Sequence, residues 1–471
     1  MSNPVADAGA TRVNDVHSQL NETVVAEVVP VDSLAAIGAA VARSREQGLP
    51  LAVSGGRHAM GGQQFCTDGL LVDTRPLARV LDFDRERGTI DVEAGIQWPA
   101  LLAYLLAEQV GGAPAWGIRQ KQTGADRLSI GGALAANGHG RGLTFKPLVD
   151  DVESLTLVDA RGDVLTCSRG QNSELFRLVV GGYGLFGVVH SVRLRLAPRR
   201  KLERVVEVRE IEGLIEAFDD RIGDGFLYGD FQFAIDPADP RFLRRGVFSC
   251  YRPVDDATPI PGAQRALTTD DWKKLLLLTH VDKAAAWEGY SSHYLATSGQ
   301  VYLSDAHQFA EYIDDYHRWL DEVTGATDRA TEMITELYVP RDRLDDFMGE
   351  VAADFRRHGV DVIYGTVRLV ERDDETFLPW AREAWACVIF NLHTVHTPAG
   401  LTQAADSFRR LIDMAIARGG SYFLTYHRWA RREQVEACYP QFREFLAAKL
   451  RYDPEERFQS DWYRHHAALL G

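Results

Sequence analysis

Gly182-Tyr-Gly-Leu-Phe-Gly187 is the stretch on which the fold turns. It satisfies G-x-G-x-x-G. A dinucleotide fold would need a strand before it and a helix after it, so that the helix N-terminus meets the pyrophosphate. The flanks have the opposite order. Residues 173–180 carry the apolar spacing of a helix, and 188–196, Val-Val-His-Ser-Val-Arg-Leu-Arg-Leu, alternate as a strand. A Rossmann reading fails here, so these glycines serve another purpose.

Two further glycine clusters lie upstream. Val53-Ser-Gly-Gly-Arg-His58-Ala-Met-Gly-Gly-Gln63 follows a short buried strand at 50–54. A strand running into four glycines leaves backbone N–H groups free to face an anion; the alternative is a turn with a surface histidine. Ser129-Ile-Gly-Gly132 to Asn137-Gly-His139-Gly-Arg-Gly142 reads as a second flexible, donor-rich loop. Together the two could hold the two ends of an extended diphosphate cofactor.

The rest of the chain sets bounds. Its 471 residues, 45% hydrophobic and 25% charged, make a multidomain globular protein rather than a disordered one. Fifty-two basic against sixty-seven acidic residues give a net charge of −15, which argues against nucleic acid or an anionic membrane as partner. Five scattered cysteines form no C-x-x-C pair, and no run reaches the length of a signal peptide core or a membrane span. A cytoplasmic location is expected, and the oligomeric state stays open.

The pattern divides the chain into a loose arm at 1–20, an α+β part at 21–204, a part of longer segments at 205–415, and a closing part at 416–471. A helix capped by Asp32-Ser33 is expected to end near Gly48, with hairpins at 79–93 and 153–168. Between 205 and 415 the extended runs 227–235, 362–369 and 387–393 alternate with acidic helices at 309–323 and 341–358. That implies one sheet covered by helices. A further helix is expected at 439–450.

These segments resemble the FAD-linked oxidoreductases of the vanillyl-alcohol oxidase type, the PCMH-type flavin family. Within it the chain is most similar to alditol and aldonolactone oxidases and cytokinin dehydrogenases. The resemblance rests on Ser54-Gly-Gly-Arg-His58, Ser129 to Gly140, Leu165-Thr-Cys-Ser168 through Phe176, 181–189, and Tyr452-Asp-Pro-Glu-Glu-Arg-Phe458. It covers the first 200 residues and the C-terminal end, not the middle. It implies an α+β fold in which both chain ends build one FAD-binding domain around an α/β substrate cap inserted at 205–415.

By position the resemblance assigns FAD contacts to Ser54, Gly55, Gly56, Arg57, Ala59 and Gln63. It adds Thr123 or Gly124, Ser129 and Gly132, with His139 beside the flavin and the Val189 backbone at the cofactor edge. His58 stands where relatives often carry a histidine bonded to the flavin 8α-carbon, so covalent FAD is implied. The chain departs from the family at Arg57, often glycine there, and at Ala59, usually serine. Ala125-Asp-Arg127 replaces the cysteine of doubly linked relatives. His139 could instead be a loop histidine bonded to backbone.

For the substrate side, hydride transfer to flavin needs a proton acceptor and a cation or dipole on the donor oxygen. In polyol oxidases a cap-strand glutamate and an arginine two residues later help do this. Here Thr366 replaces the glutamate and Arg368 matches the arginine; the alternative is that Arg368 pairs with Glu371 or Asp373. His393, Tyr426 and His427 are the candidates for the proton, although Tyr426-His427 could also form an amphipathic rim. Tyr338 is a pocket wall or plain core. His393-Thr-Val-His396 has no third or fourth ligand at suitable spacing, so no metal is expected.

The expected activity is oxidation of a small-molecule alcohol, CH–OH to C=O, with O2 or another acceptor. The rivals are C–N oxidation as in cytokinin dehydrogenase, for which no cap acid is identifiable, and a flavin binder without turnover.

Overall fold

The computed structural model describes residues 10–111, 115–310, 313 and 315–471. Helices and sheets are mixed in an α+β arrangement. The helix Leu34–Gln47 starts because Ser33 Oγ accepts from the Ala36 N–H, and ends at Gly48, which turns left-handed at φ 65°. It crosses over between Glu27–Pro30 and Leu51–Ser54, which flank Leu70–Asp73 in a three-stranded parallel sheet. A five-stranded antiparallel sheet follows, in the order Val164–Ser168, Val152–Val158, Val188–Arg195, Thr89–Glu93, Val80–Asp84.

Both expected hairpins form, and G-x-G-x-x-G lies between the helix Ser173–Val179 and the strand Val188–Arg195. Three expectations are corrected. Residues 10–20 are no loose arm: Thr11–Val13 pairs with Thr23–Val25, and buried Asp15 accepts from the Ser18 and Gln19 N–H groups. Residues 1–9 lie outside the described residues. The first half of the second glycine cluster is not a loop but a seven-residue helix, Ile130–Ala136, capped by Ser129 Oγ and closed by left-handed Asn137, while residues 137–142 are non-helical as expected. The helix expected from 309 begins at Tyr316, with residues 311, 312 and 314 of that stretch outside the described set.

An eight-stranded antiparallel sheet takes up most of the remaining chain, in the order Val301–Leu303, Lys201–Glu210, Arg245–Pro253, Tyr228–Phe233, Val362–Val370, Trp385–Val395, Ala330–Pro340, Ser421–Tyr422. The elements that build the site are β1 (Ala330–Pro340), β2 (Val362–Val370), β3 (Trp385–Val395), α1 (Ile130–Ala136), α2 (Thr269–Val281) and α3 (Tyr316–Thr324). Helices Leu344–His358 and Pro398–Ile416 pack on β1, burying Phe347, Val351, Phe355, Phe408 and Leu411. The apolar stripe of each helix covers one sheet face, which leaves the other face to the site.

The C-terminal stretch returns to the first sheet. Phe458 bridges Leu51 in parallel, with the Leu51 N–H donating to Arg457 and the Gln459 N–H to Leu51. The helix expected over 439–450 runs from Phe442 to Tyr452. Buried Phe458 packs in the same apolar cluster as Val41, Leu51 and Val72. Replacing Phe458 by Ala should therefore cost about 3–5 kcal/mol of unfolding free energy, measured by urea denaturation; a loss below about 1 kcal/mol would show that the return strand does not hold the ends together.

Candidate functional site

A cavity of about 720 Å3 is lined by both upstream glycine clusters, by strands of the large sheet and by residues 425–426. Gly55, Gly56, Arg57, His58, Ala59 and Gln63 line it from the first cluster. Thr123, Gly124, Ser129 and Gly132 line it from the second region, and Val189 from the turn after G-x-G-x-x-G. A Cβ on Gly55 would stand 2.2 Å from Ser129 Oγ, and one on Gly56 2.5 Å from the Arg127 carbonyl. The clusters thus approach each other more closely than any side chain allows. Arg57 holds φ at 60°, so the non-glycine residue keeps a glycine-like backbone.

Several polar atoms of this wall lack a protein partner. Ser54 Oγ, Arg57 Nε and Thr123 Oγ1 are buried and unbonded, although Ser54 itself does not reach the cavity surface. Buried polar groups are normally satisfied, so this wall fits a long polar ligand. His58 Nδ1 lies 2.8 Å from His17 Nε2. Burial, and then the neighbouring His17, pulls the His58 pKa down to about 3. Gln63 donates its amide to the Leu424 and Thr425 carbonyls, fixing the C-terminal return against the first cluster.

The opposite wall carries charge. Glu336, on β1, is buried and accepts from the hydroxyls of Tyr426 (2.6 Å) and Tyr338 (2.8 Å); His139 Nε2 lies 3.0 Å away. Burial pushes this carboxyl up, but His139 and the two hydroxyls pull harder, and its pKa ends below the ordinary range. Glu336 and Tyr426 both face the cavity. Arg368, on β2, lines it too, only 6% exposed. Its Nε has no partner, and among the described residues the guanidinium has no hydrogen bond or ion pair. The two acids expected to pair with it are engaged elsewhere: Glu371 with Arg341, and Asp373 with Asn137 and Thr376.

Residues 25–168 match the FAD binding domain family. The chain is 26% identical over 93% of its length to L-gulono-1,4-lactone dehydrogenase of Mycobacterium tuberculosis, covering 95% of that protein. It is 32% identical to cytokinin dehydrogenase 8 of Oryza sativa over 41% of this chain and 37% of that one. L-gulonolactone oxidase of Bos taurus is 28% identical over 39% of this chain and 40% of its own. The chain is thus similar, over its FAD binding domain and beyond, to FAD-linked oxidoreductases. The unbonded wall of glycine clusters is where such an enzyme's own residues would hold FAD.

The fold does not bring every expected residue to the cavity. His139 is buried behind Glu336, its Nδ1 facing the Gly140 carbonyl, so it acts on the site through the carboxylate. His427 faces away from the cavity. It stacks on Phe408 and Trp429, and burial drives its pKa to about 3. His393 lies at Glu332 instead of on the cavity wall. Glu336 had no assigned role, although a lone acid in the apolar run Met333-Ile-Thr-Glu-Leu-Tyr-Val339 was its local signal.

Glu336 also makes a pH prediction. Because its folded pKa is depressed, its charge contributes stability that is fully present above the unfolded value of about 4.3 and is lost as pH falls through the lower folded value. The stability gap between wild type and Glu336→Gln should be flat near neutrality and narrow below about pH 4 in denaturant titrations. A gap that widens on acidification would contradict the ionised, hydrogen-bonded carboxylate.

Proposed function

We propose that the protein oxidises a small-molecule alcohol, CH–OH to C=O, with Arg368 on the donor oxygen and Tyr426 taking its proton. The observation that carries this is the unpaired Arg368 guanidinium. An isolated buried cation is costly, and the cavity places a ligand oxygen as its natural counterpart. Bound FAD supplies the hydride acceptor, and O2 is the expected terminal oxidant, giving hydrogen peroxide. Arg368 would stabilise the charge that grows on oxygen as the hydroxyl proton leaves. Tyr426 would accept that proton while passing its own to Glu336, with which it already shares a 2.6 Å hydrogen bond.

The similarity to a lactone dehydrogenase over most of the chain supports a hydroxylated donor. Glu336 provides a cavity acid, as the C–N reading requires. The cavity, however, continues past Arg141, Arg204 and Arg368, with Asp230 the acid among them, and this surplus of cations opposes an ammonium donor.

Arg368→Ala should lower turnover at least roughly tenfold, about 1.4 kcal/mol of barrier, with FAD content unchanged. Turnover is read as flavin bleaching under a panel of alcohols and amines; an unchanged rate removes Arg368 from the reaction, and bleaching by amines alone selects the C–N reading. We also propose covalent FAD through His58. Yellow colour should stay with acid-precipitated protein and leave with the supernatant in His58→Ala, whereas release from the wild type would mean dissociable FAD.

A further inference from the structure

A second polar cluster lies outside the reacting end of the cavity. Glu332, on β1 and 4% exposed, is the centre on which three imidazoles converge. His280 Nε2, from α2, lies 3.0 Å from Oε1; His393 Nδ1, directly opposite on β3, lies 3.4 Å from the same oxygen. His317 Nδ1, from α3, lies 2.5 Å from Oε2, out of line for a hydrogen bond, and the Tyr316 hydroxyl donates to that same oxygen at 2.7 Å. The ligand atoms of His280, Glu332 and His393 all fall within 4.8 Å of one another.

We propose that Glu332, His280 and His393 bind one divalent transition-metal ion, Zn2+ foremost, with the remaining position open to water. The spacing fits. Tetrahedral zinc with bonds of about 2.0–2.1 Å sets its ligand atoms about 3.3 Å apart, close to the two separations at Oε1. So does the donor set, since two imidazoles and one carboxylate suit zinc far better than calcium or magnesium. His280 adds a separate indication. Its Nδ1 lies 2.8 Å from the Leu276 carbonyl, the outer contact that orients a metal-binding imidazole and turns the Nε2 lone pair to the ion. In a neutral ring of that tautomer the lone pair would otherwise face a carboxylate oxygen.

The similar trio of His139, Glu336 and Cys387 lacks this character: it offers one nitrogen, and tyrosine hydroxyls bond both oxygens of its carboxylate, whereas at Glu332 a tyrosine hydroxyl bonds only Oε2. The ion at Glu332 ties helix α2 to the sheet. Helix α2 supplies Trp272, Leu275, Leu276 and Thr279 to the cavity wall, so the metal clamps that wall on β1 and β3.

The test is zinc content by mass spectrometry on purified flavoprotein, then calorimetric titration of Zn2+ into chelator-treated protein. One equivalent should bind and raise Tm. Glu332→Gln and the partly exposed His393→Ala should each weaken binding at least roughly tenfold. His396→Ala, three residues on, just past the end of β3, and bonded to Thr331, should bind as wild type. Flavin absorbance reports folding of each variant separately from metal binding. No zinc taken up by well-folded, chelator-treated wild type, or equal binding in both ligand variants, overturns the proposal.

Discussion

A carboxylate kept ionised inside a protein must be surrounded by polar partners, and Glu336 draws its own from one neighbour on its strand and two distant parts of the chain. His139 comes from the end of α1, Tyr338 from the same strand, and Tyr426 from the C-terminal return. Withdrawing any one leaves charge that the interior cannot solvate. The glycine-rich wall, the large sheet and the return are therefore held to one arrangement by a single side chain. Gln63 does the same from the other side, its amide bonded to two carbonyls of the return. The cavity is the space these constraints leave open.

The large sheet divides labour by face. Alternate residues of β1 to β3 meet the helices Leu344–His358 and Pro398–Ile416, while the others meet the cavity or the Glu332 cluster. Ile334 and Glu336 share the cavity side of β1, and Glu332 continues the same row towards α2 and α3. One strand thus carries two buried acids with different surroundings. One is bonded by two tyrosine hydroxyls and a histidine, the other by two histidines and one tyrosine hydroxyl.

Local chemistry was legible in the sequence wherever neighbours along the chain decide it. Ser33 and Gly48 mark the ends of a helix, and the order helix, glycines, strand around Gly182 excluded the Rossmann fold. Every FAD-contact expectation except Ser54 and His139 lies on the cavity wall. What failed depends on pairing across the sheet. Nothing near His393 in sequence shows that it sits opposite Glu332, or that His280 on another element reaches the same oxygen. His427 looked catalytic beside Tyr426, but its ring turns to stack on an aromatic pair supplied partly by a different helix. The second glycine cluster read as a loop because its five glycines outweigh the Ala-Leu-Ala-Ala propensity that, once capped by Ser129, makes residues 130–136 a helix.

The bridge between Leu51 and Phe458 has a consequence for biosynthesis. During translation the first two sheets emerge hundreds of residues before the segment that completes them. The amide of Gln63 waits for Leu424 and Thr425, and the strand edge at Leu51 waits for Phe458. The nascent N-terminal half therefore has an open edge while the whole inserted sheet is still being made, the stage at which such edges invite wrong partners. The cavity wall that Gln63 and Leu424–Thr425 hold together therefore takes its final form only once the C-terminal return has been made.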